Sequence, residues 1–306
     1  MNMKRKLLWV LLTVVCLTAR ADMSKEEREA YQAWYDANDT KDWPKAIEAA
    51  KIYRDSFPQG EYADYLAKWD HGLRVQFFAE AVRAKNSEEM IKRGSDLLAE
   101  DPDNLDVIYS IATTLRMNEL WAKPPVFTHA GEAAAFTLKA TQLIEAGKEP
   151  ASVDKAKWNK DNALGTLYLT LALIEKANKN TDLAIEYYTK AAVADPSNPS
   201  HALSAGILSY TKYQEAARKY RELMKDAANQ DKPETRAVKD EADRRADAAI
   251  ASYTQFLSVT ATNASFAEQR AKVEKGLADA NKFRHPEPPV PPPAPVPPAT
   301  PETKSQ

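Results

Sequence analysis

Apolar residues recur at spacings of three and four along most of this chain, the period that lines one face of an α-helix. Ala30, Trp34 and Ala37 mark such a face in residues 24–38, and Leu73, Phe77, Phe78 and Ala81 mark one in 71–84. The stretch 153–177 carries Ala163-Leu164-Gly165 and stays apolar through Ile174, while 199–227 carries Ala202, Ala205 and Gly206. Between them lie shorter alanine-rich segments, each running towards a proline. Pro58, Pro102, Pro150 and Pro196 are separated by 44, 48 and 46 residues. A proline just past one helix and just before the next suits a repeat of two helices.

The segment AIEYYTKAAVADPSNP from Ala184 places Ala184, Tyr188 and Ala191 on one face, with Pro196 five residues later. Ala46, Ala50, Tyr53 and Pro58 keep those offsets, as do Met90, Gly94, Leu97 and Pro102; Ala249, Tyr253 and Phe256 form a partial copy without the proline. This small–aromatic–small–proline spacing resembles the second helix of a tetratricopeptide repeat (TPR). There, small residues let two helices approach and the aromatic fills the space between them. The period departs from the 34 residues of a TPR and lies nearer the 40–47 of HEAT-type repeats, which stay open as the alternative. Extra length falls in connectors such as WAKPPVFTHAG from Trp121, which precedes a helix-like AAAFTLKATQLIEAG. It falls also in a charged insertion, about 212–247, expected as two long antiparallel helices projecting from the array. A final helix over roughly 263–283 is expected to cap it. The fold class read from the chain is therefore all-α, an α-solenoid of antiparallel helix pairs over residues 22–284.

Both ends differ from this body. Lys4, Arg5 and Lys6 precede an apolar run, Leu7 to Leu17, and Ala19-Arg20-Ala21 offers small residues for cleavage between Ala21 and Asp22. Residues 1–21 thus predict a secretory signal peptide, too short to span a bilayer. The protein is expected to be exported, periplasmic or secreted from a bacterium, with no integral span after cleavage. From His285 the composition turns to HPEPPVPPPAPVPPATPETKSQ, with 10 of the 19 prolines between 286 and 301. Such a segment predicts a disordered, polyproline-like tail over 285–306.

Cleavage removes Lys4, Arg5, Lys6, Arg20 and no acids, leaving 38 basic against 44 acidic side chains. That balance gives no excess to hold nucleic-acid phosphates. Cys16, the sole cysteine, goes with the signal segment, so disulfides and cysteine-based zinc sites are excluded by counting. His71, His129, His201 and His285 show no metal-ligand spacing, and no Walker loop, G-x-S-x-G or H-E-x-x-H occurs. The sequence gives no grounds for a catalytic residue, a metal or a cofactor, and points away from an enzyme. Asn263-Ala264-Ser265 fits a glycosylation sequon by chance in a bacterial chain.

Function then rests on architecture. Resemblance to TPR proteins implies a concave groove lined by first helices and holding a protein or peptide partner. Carried over by register, that resemblance implies groove-facing positions at Tyr31, Tyr35 and Asn38, then Leu169, Leu173 and Lys176, then Leu203, Ile207 and Tyr210, with packing against neighbouring helices the equal alternative for the leucines and Ile207. Tyrosine, with an apolar body and a polar tip, suits that role best. The leading expectation is an exported scaffold or adaptor. The alternative is a structural envelope component with the proline-rich tail as a spacer.

Overall fold

The structure is a computed structural model, and it describes residues 23–286. The signal segment, the Ala21–Asp22 cleavage point and the tail beyond Pro286 lie outside the described residues. Eleven α-helices are present among them: α1 (Lys25–Asp39), α2 (Trp43–Ser56), α3 (Ala63–Arg83), α4 (Ser87–Glu100), α5 (Leu105–Leu115), α6 (Ala130–Glu145), α7 (Lys160–Ala177), α8 (Thr181–Ala194), α9 (Pro199–Leu223), α10 (Pro233–Thr260) and α11 (Ala267–Arg284). A π-helical turn, Arg116–Leu120, follows α5.

The helices pair because two kinds of punctuation alternate. In three of the pairs, α1–α2, α3–α4 and α7–α8, the first helix ends on a lysine in the left-handed region: Lys41, Lys85 and Lys179 have φ of 58°, 56° and 64°. In each case this lysine N–H donates to the carbonyl three residues back, and the next N–H to the carbonyl five residues back. Both bonds satisfy orphan carbonyls in the Schellman manner, and the following Asp42, Asn86 or Asn180 sits at the N-cap of the second helix. Between pairs, Pro58, Pro102 and Pro196 stand two residues past the end of α2, α4 and α8. A proline there cannot extend the helix. Asn104 and Asn198 then cap the next helix with their side chains. Pro150 lies in a longer connector between α6 and α7.

The chain divides into two compact units, residues 1–118 and 119–306. In the first, α1 and α2 close around Trp34, Ala37, Ala46, Ala50, Tyr53 and Leu66. Ala46 and Ala50 are fully buried, so the helices meet at methyl groups and leave room for the Trp34 and Tyr53 rings. In α3 and α4, Gly94 takes the small position, against Ile111 and Phe78. In the second unit, Ala172, Ala184, Tyr188 and Ala205 join α7, α8 and α9.

Two elements differ from the sequence expectation. Helix α3 begins at Ala63, not near 71, because Leu66 and Ala63 are buried against the first pair. The long hairpin of α9 and α10 is not bare: Ala280 and Phe283 of α11 cover Tyr213, Ala217, Ala242 and Ala246 along it. Arg284 closes that contact with ion pairs to Asp243 and Asp247.

Candidate functional site

In the first unit, α1 and α3 together present a sheet of aromatic rings. Ser24 caps α1 through Glu27 N–H, which fixes the helix start. Helical spacing then brings Tyr31, Trp34 and Tyr35 to neighbouring positions. Tyr62, Tyr65 and Trp69 arrive from the start of α3, again at steps of three and four. Trp34 lies at the centre, only 2% exposed. Its ring meets Trp69 edge-on at 5.3 Å and Tyr65 edge-on at 5.7 Å. Tyr35 stands 6.5 Å away. Tyr31 stacks on Tyr62 at 4.1 Å.

Beneath this sheet the backbone is tied down. The Tyr53 hydroxyl donates to Glu27 Oε1 at 2.5 Å and accepts from Tyr62 N–H at 3.1 Å, and the same carboxylate oxygen accepts from Glu61 N–H. Burial, then the bond to Glu27, pushes the Tyr53 phenol far above its usual range. The neutral hydroxyl is thereby kept as a donor. The upper surface is open: Tyr35 is 47% and Tyr65 52% exposed.

A charged lattice lies beside it. Asp70, 2% exposed, accepts from Arg54 on α2 at 2.8 Å and from two nitrogens of Arg74 at 3.1 and 2.7 Å. Arg74 also reaches Glu100 at 2.7 Å, and His71 lies 3.3 Å from that carboxylate. The lattice links α2, α3 and α4 and satisfies each charge in turn, which is a structural role.

The sequence-named positions fall in different settings. Tyr31 is half-buried in its stack, Tyr35 is open, and half-buried Asn38 lies in the last turn of α1, its carbonyl accepting from Lys41 N–H. In the second unit Lys176 is exposed in the last turn of α7. Leu169, Leu173 and Leu203 are half-buried, and Ile207 is exposed. Tyr210 faces α11: its hydroxyl donates to Asp279 at 2.9 Å, and burial, then that bond, raises its phenol. It sits among Tyr213 and Tyr253 rather than at an open surface. The structure thus brings Tyr31 and Tyr35 together and adds Tyr62, Tyr65 and Trp69, which the register reading did not single out. Their spacing in GEYADYLAKWD was a visible signal.

The histidines are taken up locally. His129 donates its backbone N–H to Glu119 at 3.1 Å and brings Nδ1 within 2.6 Å of the same carboxylate. His201 is buried, its Nε2 4.0 Å from Asp195. Among the described residues no group of three or more His, Cys, Asp or Glu comes together to hold a metal ion. No helix among them is long and apolar enough to cross a membrane.

The chain is similar to a solved TPR-repeat protein from Bacteroides fragilis, over 85% of this chain and 100% of that one, at 14% identity and a TM-score of 0.41. No family model matches it, and no curated protein does.

Proposed function

We propose that this protein is an exported scaffold that holds another protein or peptide against the first helices of its pairs. The observation that carries the reading is the aromatic face of α1 and α3. Two open tyrosines stand there beside a buried tryptophan, and both helices are joined by the Glu27–Tyr53–Tyr62 bonds. Rigid aromatic side chains give large contact area at small entropy cost, which is why they dominate the energetic centres of protein interfaces. The helix-pair architecture supports the same reading, because successive antiparallel helices display ordered side chains to a partner.

Crosslinking in the native envelope with identification of bound chains, repeated with Tyr35→Ala and Tyr65→Ala, tests the proposal. Captured partners should fall away in both variants. A partner set unchanged by both would remove the face from consideration. Export is tested separately: the mature protein should begin at Asp22 in the periplasmic or secreted fraction.

A further inference from the structure

We infer that the aromatic face of α1 and α3 takes a polyproline helix, and that its occupant is this chain's own proline-rich tail, residues 286–301. The inference rests on reading that face as a binding face and goes further by naming the ligand class.

Three observations lead to it. The first is shape. A polyproline II helix has three residues per turn and about 3.1 Å rise per residue, so prolines on one edge recur about every 9 Å. Tyr35 and Tyr65 flank Trp34 at 6.5 and 5.7 Å, so their rings are no more than about 12 Å apart. The ridge spacing of about 9 Å lies within that bound, so pyrrolidine faces on adjacent ridges have room to lie on the rings. Aromatic-lined surfaces recognise proline-rich segments in this way because the segment is already extended and loses little entropy on docking.

The second is hydrogen bonding. A polyproline helix bonds none of its own carbonyls internally, so it arrives as a row of acceptors. The face carries donors to meet them: among the described residues no acceptor engages the indole N–H of Trp34, although Trp34 is 98% buried. A buried donor without a partner costs about 1–3 kcal/mol.

The third is supply. The chain carries 10 prolines between 286 and 301, no aromatic residue after Phe283, and no long apolar stretch there that would pack a core. Those 16 residues span about 50 Å as a polyproline helix, several times the width of the two-tyrosine site.

Titration of a synthetic peptide, residues 285–303, into the full-length protein and into a form ending at Arg284 tests this. The peptide has no tryptophan, so the change in protein fluorescence on titration reports binding, with Trp34 and Trp69 of the face contributing beside Trp43, Trp121 and Trp158. Saturable binding to the shortened form is expected, with weaker apparent binding to the full-length chain, whose own tail already occupies the site. Tyr35→Ala with Tyr65→Ala in the shortened form should weaken the peptide by about tenfold, with an unchanged melting curve showing that the fold is intact. Full-length protein that associates with concentration, and stops doing so without the tail, indicates docking between copies; a monomer with a weakened peptide indicates docking within one chain. Both support the inference. No saturable binding, equal binding to the two forms, or binding indifferent to both tyrosines overturns it. Partner capture that survives any of these outcomes and still depends on Tyr35 leaves the scaffold reading standing while the tail assignment falls.

Discussion

Gly206 of α9 lies against the ring of Tyr253 of α10 with no room for a β-carbon: one built there would stand 2.5 Å from Cδ1 and 2.6 Å from Cε1. The tyrosine is buried and held by Phe256 and Val273, so it has no easy retreat. Gly206→Ala should therefore destabilise the protein by about 1–3 kcal/mol despite the better helix propensity of alanine. Denaturant unfolding of the variant measures it, and a midpoint equal to the parent's would show that the ring moves aside.

The two tyrosines of α1 should separate cleanly. Tyr31 is stacked at 4.1 Å on Tyr62 and packs near Tyr53 at 6.3 Å. Tyr31→Ala loses that stack and its buried area, about 1–2 kcal/mol of stability. Tyr35 is half exposed, and Tyr35→Ala should change stability by no more than about 0.5 kcal/mol. A binding defect in Tyr35→Ala is then a defect of the surface, while one in Tyr31→Ala mixes surface and fold.

Much of the first of these positions was legible in the sequence. Trp34 and Ala37 follow the helical period, and Pro58, Pro102 and Pro196 mark the ends of α2, α4 and α8 as expected from their spacing. What the pattern hid was the start of α3. Asp70 is buried in the middle of that segment and breaks the apolar rhythm, because its burial depends on Arg54, sixteen residues earlier, and on Arg74. Tyr65 and Trp69, which precede it, were thereby left outside the predicted helix. The cover that α11 places on the α9–α10 hairpin was hidden for a similar reason. Arg284 and Asp247 are surface charges by composition and become neighbours only through tertiary packing.

Asp70 itself makes a testable case. Replacing it by alanine leaves two arginines facing each other with no anion between them. Both keep some solvent access, at 27% and 31% side-chain exposure, so the loss should be about 2 kcal/mol rather than the full cost of an orphaned buried charge. The double variant Asp70→Ala/Arg54→Met should recover part of it in the same unfolding measurement. Recovery of nothing would mean that the loss comes from Arg74, left without its partner on α3, and not from an unpaired Arg54.

The left-handed lysines predict a gain. Lys85 at φ 56° closes the α3–α4 turn in a conformation that suits glycine better than any side chain. Lys85→Gly should raise stability by about 0.5–1 kcal/mol, the strain relief outweighing the greater freedom of glycine in the unfolded chain. A loss on thermal unfolding would mean that the lysine side chain contributes more than the backbone strain removes.

Alkaline pH should weaken the second unit in a defined window. Burial raises the phenols of Tyr213 and Tyr253 to about 12, with Asp279 adding to the first and Tyr210 to the second. Their ordinary value is about 10. Folding thus favours the neutral form, and the stability linked to it is intact below pH about 10 and is lost as pH rises from about 10 to about 12. Unfolding midpoints should fall across that interval, and Tyr253→Phe should flatten the fall because it removes one of the raised phenols, Tyr210 and Tyr213 remaining. The buried ring of Tyr253 stays in place in that variant, so its stability below pH about 10 should differ little from the parent's. A slope unchanged by the substitution would assign the alkaline loss to other tyrosines.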